Sequence, residues 1–176
     1  MNDQLLFKDL DDIEKFNVPY CLINNTLLSL YRDKKCFEEE ERECVVLIPA
    51  NYKTRLLHSK GTTIDMDSVS GLGNINREGK IAICFMTECR GKIVVNPFLD
   101  NFFVFDKSVI FPFSILTHNT RKIPIPHKPE DYLSQFYGDW KTPVPSSKWN
   151  WVNSRGIVKA QGIDEAVKLY LKYGKT

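Results

Sequence analysis

The chain has 176 residues, 43% of them hydrophobic and 26% charged, which is typical of a single globular domain spanning residues 1–176. Its 24 basic and 22 acidic side chains give a formal net charge of +2, which argues against a dedicated nucleic-acid-binding domain. No apolar stretch approaches the roughly 20 residues that span a membrane, and the first residues lack the features of a secretory leader. We therefore expect a cytoplasmic protein whose five cysteines are reduced.

The N-terminal part of the chain alternates helical and strand patterns. Leu6, Leu10 and Ile13 recur at three-to-four spacing and predict a first helix, with Asn2 or Asp3 as its N-cap. The elements predicted next are a buried strand over 20–23, a short helix capped by Thr26 and running to Arg32, a strand over 44–48, and a short helix over 51–59.

The middle of the chain is rich in β-branched and aromatic residues between turn signals, which predicts strands. These strands are expected over 62–69, 80–86, 92–98 and 102–105, with a hairpin turn at 88–91 and a loop at 71–74.

The C-terminal part returns to helices. Pro129 suits the first position of a helix that runs to Tyr137, and Gly138 suits its C-terminal cap. Asp164 is the expected cap of a last amphipathic helix, whose apolar face carries Val167, Tyr170 and Leu171. The mixture of elements predicts an α+β fold with a mixed sheet flanked by helices.

An acidic run is the most unusual local feature, with five glutamates in six positions (Glu38–Glu41 and Glu43). Side chains two apart share a face of a strand, so Glu41 and Glu43 would present paired carboxylates where the strand over 44–48 begins. Mg²⁺ takes one or two carboxylates and completes its shell with water and substrate phosphates. Glu39 and Glu41 form a competing pair, and a solvated loop is the alternative interpretation of the run.

The order of elements around the run is that of a nucleotidyltransferase-type site. A strand, a polar turn at 24–26 and a short helix precede the carboxylate-bearing strand. Backbone N–H groups at the start of a helix can bind phosphate. Arg32 closes this helix, either within reach of an anionic substrate or as an exposed cation favoured by the helix dipole.

Two stretches resemble the LicD/fukutin-related proteins. The first is residues 18–32, which resemble that family's Gly-Thr-Leu-Leu-Gly turn and helix leading to an arginine. The second stretch lies between residues 123 and 143. It contains the segment 123–126, a Pro-x-x-Tyr-Leu motif at 129–133, a Tyr-Gly-Asp-Trp motif at 137–140, and Pro143. Together these matches cover most of residues 5–145.

The resemblance implies a nucleotidyltransferase-like fold and a metal-dependent transferase. Such enzymes move phosphocholine or a sugar-alcohol phosphate from a CDP-activated donor to a cell-surface glycan, using Mg²⁺ or alternatively Mn²⁺. The matching positions are Asn25 and Thr26 at the donor phosphate, Arg32 as the family arginine, Glu41 and Glu43 as the catalytic metal ligands, and Tyr137 and Trp140 in the motif that shapes the pocket.

Several positions depart from the family pattern. The two glycines of the turn are Asn25 and Ser29, and glutamates replace aspartates. Asn96 occupies the position at which the family has a further carboxylate, and an asparagine cannot carry that charge. Asp100 is therefore the candidate third metal ligand. These departures keep open an alternative function, a non-catalytic module of the same fold that binds a nucleotide or a protein. The chain is also compact, so a partner protein is a candidate source of acceptor recognition.

Overall fold

A computed structural model of the protein describes residues 2–36, 44–57, 64–66, 72–77, 79–98, 100–143 and 157–174. Its α-helices are α1 (Asp3–Glu14), α2 (Asn24–Leu28), α3 (Lys53–Leu57), α4 (Lys107–Ile110), α5 (Pro129–Tyr137) and α6 (Ile163–Tyr173). Its strands are β1 (Cys21–Leu22), β2 (Cys44–Pro49), β3 (Ile64–Met66), β4 (Leu72–Arg77), β5 (Gly79–Cys89), β6 (Lys92–Phe98), β7 (Asn101–Asp106), β8 (Ser114–His118), β9 (Arg121–Ile125) and β10 (Ile157–Lys159). In this described part of the chain, no helix is both long and apolar enough to cross a membrane.

Eight of the described strands form one mixed sheet. Its main path runs β1-β2-β5-β6-β7-β10, and β4 joins β5 beside β6 and carries β3 on its far edge. β2 is parallel to β5, whereas the other pairs are antiparallel. β8 and β9 form a separate hairpin. This mixed sheet with flanking helices confirms the predicted α+β class.

Local signals account for the ends of two helices. The side chain of Asn2 accepts a hydrogen bond from the backbone N–H of Leu5 at 2.9 Å, which caps α1 as predicted. Pro129 occupies the first turn of α5, where its missing N–H costs no helical hydrogen bond. Gly138 follows that helix with φ of +70°, a backbone angle that favours glycine.

Both faces of the sheet are covered, and β7 shows how the sequence achieves this. Successive side chains of a strand point to opposite faces. Phe103 and Phe105 therefore face α5, where the ring of Phe103 stacks on Phe136 at a centroid distance of 4.7 Å. Phe102 and Val104 face the other way and pack against α6 through Ala166, Val167 and Tyr170. The helices α1, α2 and α5 therefore share one face of the sheet, and α2 and α5 carry Asn25 and Tyr137.

Thr26 does not cap the second helix, contrary to the prediction. That helix begins two residues earlier, at Asn24, with Ile23 as its N-cap residue. The Thr26 side chain is buried, and its Oγ1 accepts a hydrogen bond from the backbone N–H of Val45 at 3.1 Å. The Thr26 hydroxyl therefore bonds β2 instead of the helix N-terminus that the local sequence pattern predicts for it.

Three smaller predictions are also wrong. Residues 72–77 form β4 instead of part of a loop, because pairing with β5 supplies the hydrogen bonds of an extended segment. Gly162, not Asp164, is the N-cap residue of α6, and Asp164 lies in its first turn. Leu171 is 55% exposed, so it lies at the edge of the apolar face, which Val167 and Tyr170 bury.

Candidate functional site

The candidate site begins where β1 passes into α2. Asn24 makes this change of direction with φ of +52°, in the left-handed region that asparagine tolerates better than most residues. The fully buried Tyr132 of α5 donates its hydroxyl proton to Asn24 Oδ1 at 2.7 Å. Burial raises the pKa of Tyr132 well above its ordinary value, so this phenol stays protonated and remains a donor. The turn is therefore fixed by α5.

Asn25 is the next residue, and it also contacts α5. The hydroxyl of Tyr137 donates to Asn25 Oδ1 at 2.7 Å, across a sequence separation of 112 residues. Both side chains are half-buried. The structure therefore brings together one residue from each of the two stretches that carry the family resemblance.

Arg32 lies in a π-helical turn, Ser29–Asp33, that continues α2. Such turns are rare and are often found at functional sites. The guanidinium donates from Nε and Nη2 to the two carboxylate oxygens of Asp33, at 2.7 and 2.9 Å. Its Nη1 donates to the backbone carbonyl of Trp140 at 3.1 Å. The hydrogen bond with Asp33 raises the pKa of Arg32, and the cation is held in one orientation.

Trp140 is mainly a packing residue. It is 7% exposed, and its indole Nε1 donates to Ser134 Oγ at 3.1 Å. Its ring lies 5.8 Å from that of Tyr31, measured between centroids. Trp140 thus reaches the site through its carbonyl bond to Arg32, consistent with a residue that shapes the pocket.

Asn25, Arg32, Tyr137 and Trp140 form one cluster around α2. The hydrogen bond from the Val45 N–H to Thr26 connects this cluster to the start of β2. Glu43 immediately precedes β2 in the sequence, so the acidic run leads into the strand that Thr26 contacts. Glu41, Glu43 and the competing Glu39 themselves lie outside the described residues. Their assignment as metal ligands stays a prediction.

Asp100 makes no hydrogen bond to Asn25, Arg32, Tyr137 or Trp140 among the contacts described for it. It lies between β6 and β7 and is exposed. Its Oδ1 accepts a hydrogen bond from the Asn101 side chain at 3.1 Å, and its carbonyl accepts from the backbone N–H of Ala160 at 2.9 Å. These contacts connect Asp100 to the C-terminal segment, whereas Asn25, Arg32, Tyr137 and Trp140 meet around α2.

Sequence reasoning missed two members of this cluster. Asp33 is the carboxylate that orients Arg32, and its position directly after the arginine was the available signal. Tyr132 could not be assigned to Asn24 by any local pattern, since 108 residues separate the two.

A cavity of about 30 Å³ lies beneath Asn24 and Tyr132, with apolar side chains forming the rest of its wall. A buried water needs about 10–15 Å³ of such space, so this cavity is far too small for a nucleotide. This cavity is therefore not the binding site of a nucleotide-sized substrate.

Comparison with known proteins identifies the fold. No protein-family model matches the chain, and no curated protein sequence matches it. Among solved structures, it is similar to the lincosamide antibiotic adenylyltransferase LnuA in its lincomycin-bound crystal structure, with a TM-score of 0.52. The fold is nucleotidyltransferase-like. The alignment covers 72% of this chain and 82% of that one at 22% identity. The predicted fold is therefore confirmed, while the LicD/fukutin-related resemblance stays a prediction.

The contact between Asn25 and Tyr137 gives a testable prediction. We expect Tyr137→Phe to lower the free energy of unfolding by about 0.5–1.5 kcal/mol, because a half-buried hydrogen bond is lost. In a double-mutant cycle with Asn25→Ala, followed by urea denaturation, the two effects should not add. Tyr31→Phe is the matched control, since its exposed hydroxyl lies 3.4 Å from Glu130 and should contribute little. Additive effects of Tyr137→Phe and Asn25→Ala would show that the contact carries no coupling energy.

Proposed function

We propose that this protein is a metal-dependent transferase that moves phosphocholine or a sugar-alcohol phosphate from a CDP-activated donor to a glycan. The observation that carries the proposal is the meeting of the two family-like stretches. Tyr137 bonds Asn25, and the carbonyl of Trp140 bonds Arg32, over sequence separations of 112 and 108 residues. If both stretches belong to one active site, they are expected to contact each other in the folded chain, and they do so through these two hydrogen bonds.

Arg32 is the residue best placed to bind the donor diphosphate. A guanidinium has five N–H donors, and the bonds to Asp33 and Trp140 use three of them. These bonds hold the side chain in place before substrate arrives, so little conformational entropy is lost on binding. The side chain is 19% exposed, and although Asp33 balances part of its charge, its two remaining N–H groups can donate charge-assisted hydrogen bonds to phosphate oxygens.

Glu41 and Glu43 are the residues proposed to hold the metal. Carboxylate oxygens are the ligands that Mg²⁺ prefers, and Mn²⁺ accepts the same set. When bound, the ion would neutralise charge on the donor phosphates. Asp100 remains the proposed third ligand, although its described contacts run to the C-terminal segment.

A second candidate function follows from the similarity to LnuA, which is named as an adenylyltransferase acting on an antibiotic. A nucleotidyl transfer of that type would place a nucleoside monophosphate on a small acceptor and release pyrophosphate. Transfer from a CDP-activated alcohol instead breaks the bond between the β-phosphorus, which carries the alcohol, and the oxygen that bridges it to the α-phosphorus. The leaving group is CMP. The two reactions therefore differ in their leaving group.

Phosphorus NMR of the purified chain with Mg²⁺ distinguishes these functions. Incubation with CDP-choline or a CDP-polyol and a glycan extract should yield CMP together with a phosphodiester on the glycan under the proposed function, and CMP release should fall sharply when the glycan is omitted. Incubation with ATP or CTP and small hydroxylated acceptors should yield pyrophosphate under the second. Saturable nucleotide binding with neither product, even after addition of candidate partner proteins, would indicate the non-catalytic module and overturn the enzyme assignment.

A further inference from the structure

A second group of potential metal ligands lies apart from the cluster around α2. Asp3, Cys36 and His118 each offer one ligand atom, and these atoms all lie within 4.8 Å of one another. His118 Nε2 is 2.9 Å from Asp3 Oδ1, and the Cys36 thiol also hydrogen-bonds the Asp3 carboxylate. Cys36 and His118 are 7% and 8% exposed, and Asp3 is partly exposed.

Three separate elements bring these residues together. Asp3 begins α1, Cys36 follows the π-helical turn that ends at Lys34 with φ of +58°, and His118 ends β8. No sequence spacing resembles a zinc motif, because Asp3 and His118 are 115 residues apart. The convergence is a product of the fold.

A cysteine, a histidine and an aspartate in contact could also suggest nucleophilic catalysis, but the details argue against it. A catalytic thiol is normally activated by a neighbouring histidine and has a lowered pKa. Here burial raises the pKa of Cys36 to about 12, and the carboxylate that accepts its hydrogen bond adds to this effect. The thiol is therefore protonated and a poor nucleophile at neutral pH when no cation is near.

The geometry points to a zinc site formed by Asp3, Cys36 and His118, separate from the proposed magnesium site. Thiolate, imidazole and carboxylate together suit Zn²⁺, whereas Mg²⁺ takes oxygen ligands. Tetrahedral bonds of about 2.0 Å to N and O and about 2.3 Å to S place ligand atoms about 3.3–3.6 Å apart. The Nε2–Oδ1 pair, now 2.9 Å apart, would open by roughly 0.4 Å to fit this geometry.

The surroundings of Asp3 and His118 resemble the supporting shell of a metal site. The side-chain amide of Asn119 donates to Asp3 Oδ2 at 2.7 Å, which turns Oδ1 toward His118. Asn119 itself sits at the β8–β9 turn with φ of +53°. Phe7 packs edge-on against the His118 ring at a centroid distance of 6.3 Å. Such partners orient ligands before the metal arrives.

Zinc at this position would join α1, the segment after α2 and the β8–β9 hairpin. Cys36 also lies two residues before the glutamate run, so the ion would fix one end of the segment that carries Glu41 and Glu43. Three protein ligands leave a fourth position, which water would occupy. Metal binding must expel the thiol proton of Cys36, and so should release protons.

Cobalt substitution of the full chain tests the site. Titration of the reduced protein with Co²⁺ should give one equivalent bound with an intense thiolate-to-cobalt charge-transfer band, and Zn²⁺ should abolish that band by displacement. Cys36→Ser should eliminate the band, and His118→Gln should weaken binding by about tenfold or more, since the imidazole that binds the metal is lost. Cys89→Ser and His127→Gln are the matched controls and should leave the titration unchanged.

A second measurement needs no variant and so does not depend on the folding of any mutant. During prolonged labelling, Zn²⁺, but not Mg²⁺, should slow the already slow alkylation of the buried Cys36 and leave that of the more exposed Cys89 unchanged, as mapped by mass spectrometry of the peptides. Glu43→Gln should retain both zinc protection and the cobalt band, which separates this site from the proposed transferase site. An unprotected Cys36 in wild-type protein, or a cobalt titration without a thiolate band, would show that the three residues form only a hydrogen-bonded cluster.

Discussion

Glu43→Gln is expected to lower Mg²⁺-dependent turnover of the CDP-activated donor by at least about 100-fold, equivalent to about 2.7 kcal/mol of transition-state stabilisation. Glutamine keeps the shape of the side chain but loses the negative charge that holds a divalent cation. The melting temperature should stay close to that of the wild type. Glu41→Gln should have an effect of similar size, and both variants should bind donor without the usual response to added Mg²⁺.

The acidic run itself provides the controls for this prediction. Glu38→Gln and Glu40→Gln remove the same charge from neighbouring positions and should leave turnover within about twofold, a difference of about 0.4 kcal/mol. Glu39→Gln decides between the two possible pairs. A loss of turnover in Glu39→Gln with none in Glu43→Gln would shift the site to the Glu39 and Glu41 pair. Unchanged turnover in all these variants would make the run a solvated loop.

The sequence was most informative where short-range physics fixes the backbone. Pro129 and Gly138 mark the two ends of α5 as predicted. The fixed φ of proline and the missing side chain of glycine act within a single helical turn, so a local pattern is enough to place them. The hairpin between β5 and β6 was placed correctly as well, and its turn residues Arg90 and Gly91 have φ of +52° and +72°. The order of strands and helices then sufficed for the fold class.

Contacts between distant residues explain what the sequence did not reveal. Thr26 has the pattern of a helix cap, but its hydroxyl bonds a strand 19 residues later. The hydrogen bonds of Asn24 and Asn25 to α5 span more than 100 residues, and no periodicity encodes them. The π-helical turn that presents Arg32 likewise depends on Asp33 and on the carbonyl of Trp140. Family resemblance selected these residues, while the three-dimensional contacts explain how they are held.

The substitutions that separate this chain from the family pattern also acquire a physical explanation. Glycine in the turn would allow phosphate to approach the backbone closely. Asn25 instead gives its carbonyl oxygen to Tyr137, and Ser29 donates its hydroxyl to the carbonyl of Thr26 at 3.1 Å. Asn25 therefore connects α2 to α5, whereas Ser29 bonds back to the preceding turn of the same helical segment. These contacts hold the turn without glycine, and the proposed phosphate binding would then depend mainly on Arg32 and the metal ion.

Asp9 leads to the second prediction, which concerns stability. It lies on the buried face of α1 beside Leu6, Leu10 and Ile13 and is 4% exposed. Burial raises its pKa from 3.8 to about 6, and the negative charge of Asp12 adds to that effect. A pKa rise of this size means that keeping Asp9 charged at neutral pH lowers the free energy of unfolding by roughly 3 kcal/mol relative to a carboxylate with an ordinary pKa.

We expect Asp9→Asn to raise the free energy of unfolding at pH 7 by about 1–3 kcal/mol, because the buried charge is removed but a polar amide remains. Urea denaturation at pH 7 measures this change. Asp11→Asn is the matched control on the same helix. Its carboxylate is exposed and paired with Arg121, and it is not among the groups that shift the pKa of Asp9, so its removal should change stability by less than about 1 kcal/mol.

The pH dependence of unfolding provides the decisive comparison between wild type and Asp9→Asn. Between pH values of about 4 and 6 the native state binds the Asp9 proton and the unfolded chain does not, since the two pKa values are about 6 and 3.8. Wild-type stability should therefore gain a contribution as the pH falls from 7 toward 4, with no further gain from this group at lower pH. The stability advantage of Asp9→Asn should shrink over the same interval. An advantage that stays constant from pH 7 to pH 4 would show that Asp9 is not the titrating group, and that its burial carries no electrostatic cost in the folded protein.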